Sequence, residues 1–222
     1  FSLGLHLFIS IIFTMYRMVI VLCLSLFIFC CAKNKIIDFT NTSLNFGTDE
    51  TLDIITWNIQ NFPKHDSTLN YLLELIPIMD PDIIALQEIE NEAEFNILKN
   101  SLDHYNGIIT NSASYNINLA FLYSNNLEID SSYEIFKDDL RSFPRSPLIV
   151  KIILSGQDVY IINNHFKCCG DGTLDMNDEY DEENRRYNAV NFLKEYIDTY
   201  LSDQNVIVLG DLNDELQEDS SD

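Results

Sequence analysis

Acidic, amide and imidazole side chains follow four apolar runs of the sequence, at the point where each run ends. These polar endings are Asn58, Gln87-Glu88, Asn164-His165 and Asp211-Leu212-Asn213. Short apolar runs predict buried strands, and the ligand sites of α/β proteins collect at the carboxyl ends of such strands. We find neither a Gly-rich phosphate loop nor a Ser or Cys nucleophile motif in the sequence. This set of side chains therefore indicates metal-assisted hydrolysis of phosphoesters.

The last of these endings carries the most chemical information. The run Val206–Leu209 predicts a strand that is buried on both faces, and Gly210 allows the chain to turn where that strand stops. Residues two apart on an extended segment share a face, so Asp211 and Asn213 are predicted to point the same way. A carboxylate beside an amide suits a hard divalent cation or a phosphoryl group. The alternative is a strand that simply ends in an Asx turn.

The remaining segments alternate between strand and helix patterns. Predicted strands cover Leu52–Thr56, Ile83–Leu86, Asn118–Tyr123, Leu148–Leu154 and Val159–Asn164, and predicted helices follow Ser67 and cover Glu92–Leu102 and Arg185–Leu201. Pro77 is expected to kink or stop the first helix. The acidic stretch 171–183 has no apolar period and predicts a solvated loop, with a calcium loop as the weaker alternative. This order of elements indicates an α/β fold.

The composition fits one globular domain, at 51–222, which a polar tether at 34–50 precedes. The chain has 222 residues, 46% of them hydrophobic, and its 35 acidic residues against 13 Lys and Arg give a net charge of −22. Binding to nucleic acid through the protein surface depends on Lys and Arg, so this balance argues against a basic nucleic-acid-binding surface. It fits a metal-dependent site or a salt-rich habitat.

The N-terminal 33 residues have the pattern of a targeting signal. Position 1 is not a methionine, and Met15 and Met18 are candidate starts. A short charged segment then leads into the apolar run Val19–Phe29, which is too short to span a bilayer, and into Cys30-Cys31. We expect a secretory signal or a bacterial lipoprotein signal, in which one of these cysteines is acylated. An uncleaved membrane anchor is the alternative.

Only two cysteines, Cys168 and Cys169, lie outside the predicted signal. Adjacent cysteines cannot both face one metal as the cysteines of a Cys-x-x-Cys turn do, so a zinc site is not expected. A vicinal disulfide and two reduced thiols are the remaining alternatives, and the sequence does not distinguish them.

Taken in order, the motifs around the polar endings resemble those of the endonuclease/exonuclease/phosphatase superfamily, which includes deoxyribonuclease I, exonuclease III, inositol polyphosphate phosphatases and bacterial neutral sphingomyelinases. The matching motifs are Thr56–Phe62 (TWNIQNF), Ile84–Ile89 (IALQEI), Asn163–Lys167 (NNHFK) and Leu209–Asn213 (LGDLN). The resemblance covers about 52–214. It implies a four-layer α/β sandwich, in which two mixed β-sheets pack face to face with helices outside.

The resemblance also implies roles for the residues at the strand ends. Glu88 is implied to be the principal ligand of Mg²⁺, or of Mn²⁺ or Ca²⁺, with Asn58 contacting the metal or the phosphate. Asp211 and Asn213 are implied to position and activate the attacking water. His165 is implied to hydrogen-bond the scissile phosphate.

Two further residues, Tyr123 and Arg145, fall where the superfamily often has phosphate-contacting groups. For Tyr123 the alternative is a half-buried core aromatic, and for Arg145 it is a surface salt bridge. Members of the superfamily end with a Ser/Thr-Asp-His motif that supplies a general acid/base histidine, and no such motif follows Asp214. We therefore expect a C-terminally incomplete domain that is poorly active by itself.

The resulting expectation is a secreted or surface-tethered, Mg²⁺-dependent phosphodiesterase, with nucleic acid as the leading substrate. The protein is expected to be monomeric and to contact the membrane through its N-terminal segment. A phosphatase or a sphingomyelinase-type phospholipid phosphodiesterase is one alternative, and a non-catalytic binding module is another.

Overall fold

The structure of the protein is a computed structural model, and it describes residues 47–48 and 50–214. The predicted signal at 1–33, most of the predicted tether and residues 215–222 lie outside the described residues. The signal, the anchor and the tether therefore stay predictions. Among the residues that are described, no helix is long and apolar enough to cross a membrane.

The described domain contains eight strands and three α-helices. In chain order they are β1 (Ile54–Phe62), α1 (Thr68–Met79), β2 (Ile83–Ile89), α2 (Glu92–Ser101), β3 (Tyr105–Ile109), β4 (Asn118–Ser124), β5 (Glu128–Glu134), β6 (Leu148–Leu154), β7 (Gln157–His165), α3 (Glu182–Tyr200) and β8 (Asn205–Asp211). A short 3₁₀ helix, Ser114–Asn116, lies between β3 and β4.

The strands form two four-stranded mixed sheets. Sheet 1 has the order β1-β2-β4-β3, and sheet 2 has the order β5-β6-β7-β8. β1 and β2 are parallel, and so are β7 and β8, whereas the other neighbours are antiparallel. Parallel neighbours need a crossover connection, which α1 and α3 provide. Each sheet therefore brings the carboxyl ends of two strands to one edge.

Apolar side chains fill three interfaces between four layers. One cluster lies between the two sheets and includes Phe121 and Ile161, both fully buried. A second cluster packs α1 and α2 on sheet 1 through Leu72 and Phe95, and a third packs α3 on sheet 2 through Leu193. The architecture is a four-layer α/β sandwich, which confirms the predicted fold class.

Strands β3 and β5 are absent from the sequence prediction. Each lies at an edge of its sheet. β5 has the sequence EIDSSYE, whose side chains alternate between exposed and half-buried along most of its length. An edge strand needs only one partly apolar face, so a short polar segment gives little strand signal.

Of the two predicted effects of Pro77, a kink or a stop, the structure excludes the stop. α1 continues through Pro77 to Met79, and it ends where Asp80 adopts a left-handed φ of 45°. Proline leaves one carbonyl of the preceding turn without its N–H partner. Pro77 lies on the exposed side of the helix, where water can bond that carbonyl.

β8 corrects the prediction of a strand buried on both faces. Ile207 and Leu209 pack into the core between the sheets, but Val208 is 43% exposed on the opposite face. Among the described residues β8 pairs with β7 alone. α3 packs against Val206 and does not extend over Val208. β8 is therefore an edge strand with one buried face in this part of the chain.

Candidate active site

Two carboxylates from different sheets meet at one amide. Asn58 lies on β1, Glu88 on β2 and Asp211 at the end of β8. The Nδ2 of Asn58 donates to Glu88 Oε1 across 2.9 Å and to Asp211 Oδ2 across 2.8 Å. Its Oδ1, the atom that a metal would bind, accepts instead from the backbone N–H of Gln60 across 2.9 Å. The structure therefore places Asn58 as a donor that holds the two carboxylates together.

Glu88 is fixed by its second oxygen and by its backbone. Glu88 Oε2 accepts from the backbone N–H of Asn61 across 2.9 Å. Glu88, Gln60 and Asn61 have left-handed φ angles of 65°, 44° and 51°. Each such residue costs on the order of 1–3 kcal/mol, and such residues cluster at functional sites. The irregular ends of β1 and β2 thus hold the Glu88 carboxylate beside Asn58.

Asp211 is oriented by the Asx turn that the sequence offers as an alternative. Asp211 Oδ1 accepts from the backbone N–H of Asn213 across 3.1 Å. Because β8 ends at Asp211 and Asn213 has a φ of 53°, the two side chains do not share an extended face. Asn213 Nδ2 donates instead to the carbonyl of Phe166 across 3.0 Å. The turn leaves Asp211 Oδ2 free to accept from Asn58.

His165 lies between the two carboxylates and is 2% exposed. Its Nε2 is 3.7 Å from Asp211 Oδ2 and 3.9 Å from Glu88 Oε1, and Nδ1 has no partner among the described residues. The pKa of His165 is lowered to about 4, chiefly because burial disfavours the imidazolium and because Arg145 repels it. Asp211 and Glu88 oppose this shift. His165 is therefore neutral near pH 7.

Arg145 is the cation of the site. Its Nη1 donates to the carbonyl of Phe166 across 3.4 Å, and the segment before β6 carries it. Burial lowers the pKa of Arg145, while the charges of Cys168, Glu88 and Asp211 raise it. A guanidinium stays charged despite such a shift. The structure thus brings Arg145 within electrostatic reach of both carboxylates, instead of leaving it in a surface salt bridge.

Tyr123 does not lie with these groups, which corrects its predicted place at the site. β4 runs antiparallel to β2, and Tyr123 pairs with Ile83 at the start of β2, whereas Glu88 lies at its end. At about 3.3 Å per residue, the five positions between them amount to roughly 17 Å. Tyr123 is half-buried and packs against the cluster between the sheets, as the core-aromatic alternative predicts.

Two buried amides join the sheets behind the site. Gln87 Nε2 donates to Asn163 Oδ1 across 2.8 Å, and Asn163 Nδ2 donates to the carbonyls of Leu86 and Ala120, each across 3.0 Å. Both residues are 1% exposed or less. Gln87 and Asn163 belong to two of the motifs that resemble those of the superfamily. The sequence of one strand does not predict which residue of the other sheet its side chain will bond.

The side chain of Asn164 bonds the backbone of β7 and β8 instead of pointing to the site. Its Nδ2 donates to the carbonyls of Ile162 and Leu209 across 3.0 and 3.1 Å. The neighbouring Gly210 is so close that a Cβ there would lie 2.0 Å from the Asn164 carbonyl oxygen. Asn164 and Gly210 therefore fix the close approach of β7 and β8, which places Asp211 beside His165.

A tyrosine that the sequence prediction does not include stands at the same edge of sheet 1. Tyr115 belongs to the 3₁₀ helix before β4 and is 93% exposed. The start of β4 pairs with the end of β2, at Asn118 and Ile89. The backbone N–H of Ser114 donates to the carbonyl of Pro144, the residue before Arg145, across 2.9 Å. The 3₁₀ helix is therefore hydrogen-bonded to the segment that carries Arg145.

A cavity of about 860 Å³ adjoins the site, and Phe166, Cys169 and Asn213 contribute to its lining. Glu183 also lines the cavity, and its carboxylate lies within 4.8 Å of those of Asp171 and Asp181. Exposed acidic groups are common without an ion, and Glu183 already bonds the N–H of Gly172 and the guanidinium of Arg186. The calcium-loop alternative for this stretch stays a prediction.

The carboxylate oxygens around Asn58 suit a hard divalent cation. Glu88 and Asp211 each direct an oxygen at one amide nitrogen, so the two carboxylates share a small space. Oxygen-rich sites of this kind select Mg²⁺, Mn²⁺ or Ca²⁺ over softer metals. Glu88 and Asp211 are the two carboxylates that could hold such an ion here.

The family of the protein follows from a comparison with family models. The model of the Endonuclease/Exonuclease/phosphatase family matches residues 55–222, which include every residue of the site. The chain belongs to this family. The name of the family covers endonucleases, exonucleases and phosphatases. A search of curated proteins finds no match.

Solved structures of the same fold are distant in sequence. TDP2 of D. rerio, complexed with a single-strand DNA product, has a TM-score of 0.59 at 20% identity, over 75% of this chain and 62% of that chain. The catalytic domain of human nocturnin has the same TM-score and identity, over 75% and 66%. A family protein of Bacteroides thetaiotaomicron has a TM-score of 0.54 at 16% identity, over 73% and 63%. The chain thus spans slightly less than two thirds of these structures.

Proposed function

We propose that the protein is a divalent-metal-dependent phosphodiesterase that uses water as its nucleophile, with nucleic acid as substrate. One observation supports this proposal more than any other. Asn58 holds the carboxylates of Glu88 and Asp211 together, and the neutral imidazole of His165 lies less than 4 Å from both. A cation, a base and a phosphate-binding donor can all act within that space.

Glu88 is the proposed ligand of Mg²⁺, or of Mn²⁺ or Ca²⁺. A bound divalent cation supplies charge stabilisation to phosphoryl oxygens and lowers the pKa of a bound water. Asn58 acts on this carboxylate by orienting it, because its Nδ2 and not its oxygen faces Glu88. The backbone N–H of Asn61 holds the other Glu88 oxygen in place.

Asp211 is the proposed base that accepts the proton of the attacking water. Its Oδ1 accepts from the N–H of Asn213 and its Oδ2 from Asn58, and each oxygen keeps a second lone pair. Oδ2 lies 3.7 Å from His165 Nε2, so it is the oxygen proposed to accept the proton. Asn213 positions Asp211 through this turn, while its own side chain is tied to Phe166. The role implied for Asn213 is thus proposed to be exerted through the orientation of Asp211.

His165 and Arg145 are proposed to bind the scissile phosphate. A neutral His165 with its proton on Nε2 donates toward the space between the carboxylates, where a phosphoryl oxygen would lie. Because burial keeps it neutral, His165 donates a hydrogen bond without adding charge. Arg145 supplies the positive charge that a phosphodiester anion needs.

Nucleic acid is favoured as substrate by the exposed Tyr115, which lies on the segment that is hydrogen-bonded to Pro144, the residue before Arg145. Tyr115 exposes 93% of its surface there, and aromatic faces of this kind stack on unpaired bases. The TDP2 structure, which has the same fold, is described as a complex with a single-strand DNA product. A short single strand fits better than duplex DNA, because a net charge of −22 repels long polyanions.

The same net charge favours a second candidate, a phosphatase or a sphingomyelinase-type phospholipid phosphodiesterase. Neither a small phosphoester nor a zwitterionic lipid needs long-range attraction to a basic surface. In that case Tyr115 has no base to stack on. A non-catalytic module is the third candidate, and it requires that no substrate is turned over.

One assay compares the three candidates. Purified full chain is incubated with a labelled single-stranded oligonucleotide, inositol phosphates and sphingomyelin vesicles, each with Mg²⁺ or with EDTA. We expect Mg²⁺-dependent cleavage of the oligonucleotide, with a KM raised several-fold by Tyr115→Ala and unaffected by Tyr71→Ala on α1. Faster turnover of either other substrate supports the second candidate. Absence of turnover on all three supports the binding module.

We also propose that the protein acts outside the cytoplasm as a monomer, either secreted or tethered by a lipid. The support is the apolar run Val19–Phe29 followed by Cys30-Cys31. Replacing both cysteines by serine should release the protein from the membrane fraction of an expressing bacterium. Retention in that fraction would favour an uncleaved helix, and size-exclusion chromatography with light scattering tests the monomer.

A further inference from the structure

The only two cysteines among the described residues lie at the site and face each other. Cys168 and Cys169 follow His165 by three and four positions, and both are reduced. The thiol of Cys169 donates to Cys168 Sγ across 2.9 Å, and Cys169 is exposed to solvent while Cys168 is partly buried. The two sulfur atoms are therefore adjacent before any reaction, and one of them is accessible to a solute.

Positive charges surround the less exposed sulfur. Lys167 Nζ lies 3.9 Å from Cys168 Sγ, and the charge of Cys168 is the largest of the influences that raise the pKa of Arg145. The pKa of Cys169 is raised, chiefly by its hydrogen bond to Cys168. Cations favour the thiolate, which is the nucleophilic form of cysteine. Cys168 Sγ thus accepts the hydrogen bond of Cys169 and has the Lys167 ammonium beside it.

The backbone around the pair also positions site residues. The carbonyl of Phe166, two positions before Cys168, accepts from both Arg145 and Asn213. Arg186 Nη1 donates to the carbonyls of Lys167 and Cys169 across 3.1 and 2.8 Å. A change of geometry at the cysteine pair therefore acts on a segment that carries hydrogen bonds of the site.

A bond between adjacent cysteines is strained by covalent geometry. Consecutive Cα atoms are about 3.8 Å apart across a trans peptide, whereas ordinary disulfides join Cα atoms about 4.4–6.8 Å apart. Strained or exposed disulfides are easily reduced, and such disulfides are the labile and regulatory ones. The left-handed φ of 73° at Cys169 shows that the backbone is already irregular here.

We propose that Cys168 and Cys169 are a reversible redox-modification site, which a low-molecular-weight disulfide such as oxidised glutathione converts to a vicinal disulfide. One thiol of the pair loses its proton, attacks one sulfur of the oxidant, forms a mixed disulfide and releases one glutathione thiol. The other thiol then loses its proton, attacks the protein sulfur of the mixed disulfide and releases the second glutathione thiol. The protein loses two electrons and two protons, and both are recovered in two molecules of reduced glutathione.

Peptide mapping tests the modification without any assay of hydrolysis. The folded full chain is equilibrated in glutathione buffers of graded ratio, alkylated and digested with trypsin. Cleavage after Lys167 and Arg185 yields a peptide, 168–185, that contains both cysteines of the pair and no other. We expect a peptide that is lighter by two hydrogens than the reduced, unalkylated peptide. After reduction with dithiothreitol and a second alkylation, it should appear as the doubly alkylated peptide. A peptide that stays reduced at every ratio, or that carries glutathione and never closes, would overturn the proposal.

Single variants supply the control for this experiment. Cys168→Ser and Cys169→Ser each leave one thiol, so the peptide should carry at most one glutathione and should never lose two hydrogens. Thermal melting of both variants checks that the fold is kept. A two-hydrogen loss in either variant would show that the mass change arises elsewhere in the peptide.

The link to the active site has its own measurement. Arg145 lies within electrostatic reach of Cys168, and a nearby cation favours the reduced pair over the uncharged disulfide, so Arg145→Gln should make the pair easier to oxidise. We expect half-oxidation at a glutathione ratio several-fold more reducing than for the parent, whereas Lys99→Gln, on the helix layer of the other sheet, should leave the ratio unchanged. Lys167→Gln gives the same test if Arg145→Gln does not fold, with the cysteine pair read in the longer tryptic peptide 152–185, because this change removes the cleavage site after residue 167. An unchanged ratio in these variants would exclude the coupling to the site, whether or not the protein hydrolyses phosphodiesters.

Discussion

The side-chain amides of Gln87 and Asn163 meet at 2.8 Å across the interface between the two sheets. Each sheet carries half of the site, because Asn58 and Glu88 belong to sheet 1 while His165 and Asp211 belong to sheet 2. The Gln87–Asn163 hydrogen bond is one residue away from Glu88 and two from His165 along the strands. It therefore sets how the two halves of the site lie against each other.

Removing this contact should weaken the fold measurably. Asn163→Leu leaves the carbonyls of Leu86 and Ala120 without their side-chain donor and deprives Gln87 of one acceptor. Each buried group left without a partner costs about 1–3 kcal/mol, so we expect a loss of roughly 2–4 kcal/mol in the free energy of unfolding. Urea denaturation followed by circular dichroism measures it. In a double-mutant cycle with Gln87→Met, the second change should cost less than it does alone, and strict additivity would contradict the contact.

Glu88 should be required for turnover but not for folding. Glu88→Gln keeps the shape of the side chain and removes the charge that binds a cation, so we expect Mg²⁺-dependent kcat to fall by at least about 10³-fold. The matched control is Glu90→Gln, two residues along the chain at an exposed position. It should retain parental activity. Equal activity of the two variants would remove Glu88 from the site, provided that their melting curves agree with that of the parent.

His165 should make the fold sensitive to acid. Its pKa is lowered from 6.5 to about 4, so between these values the unfolded chain binds a proton that the folded protein does not. Stability from this residue is therefore complete above pH 6.5 and is lost as the pH falls toward 4, by roughly 3 kcal/mol in all. Urea unfolding at pH 7 and pH 4.5 should show a smaller pH effect for His165→Gln than for the parent. His104→Gln, at an exposed histidine, should follow the parent, and parallel curves for all three would contradict the buried neutral imidazole.

The sequence marks the candidate site residues more clearly than it marks the edge strands β3 and β5. Glu88, Asp211 and His165 end apolar runs, and runs of this kind are a local signal. Their arrival at one point depends on the pairing of the sheets, which the family resemblance supplies and periodicity does not. Tyr123 shows the limit, because its place depends on the antiparallel direction of β4, which the sequence pattern alone does not predict.

The periodicity of the sequence also does not predict the direction in which a side chain points at the end of a strand. Asp211 and Asn213 would share a face only if the chain were extended between them. The left-handed φ of Asn213 shows that it is not. The side chain of Asn58 faces the site as expected, but its Oδ1 accepts a hydrogen bond from the backbone N–H of Gln60. Turns at strand ends decide such details, and their φ angles are set by tertiary contacts.

The close contact between Gly210 and Asn164 places Asp211. Gly210 has a φ of 133°, and a Cβ there would lie 2.0 Å from the carbonyl oxygen of Asn164, a backbone atom that cannot move aside. Gly210→Ala should therefore separate β8 from β7, lower the melting temperature by about 10 °C or more and displace Asp211 from Asn58. Activity should fall together with stability.

Gly156→Ala is the matched control for this change. Gly156, in the turn between β6 and β7, also has a left-handed φ, of 78°, but nothing lies within 4 Å of the Cβ that would be added. It should lose only the roughly 1–2 kcal/mol of backbone strain that a left-handed alanine carries. Differential scanning fluorimetry of the two variants separates steric contact from backbone strain. If Gly210→Ala melts no lower than Gly156→Ala, the approach of β8 to Asn164 is looser than described and does not position Asp211.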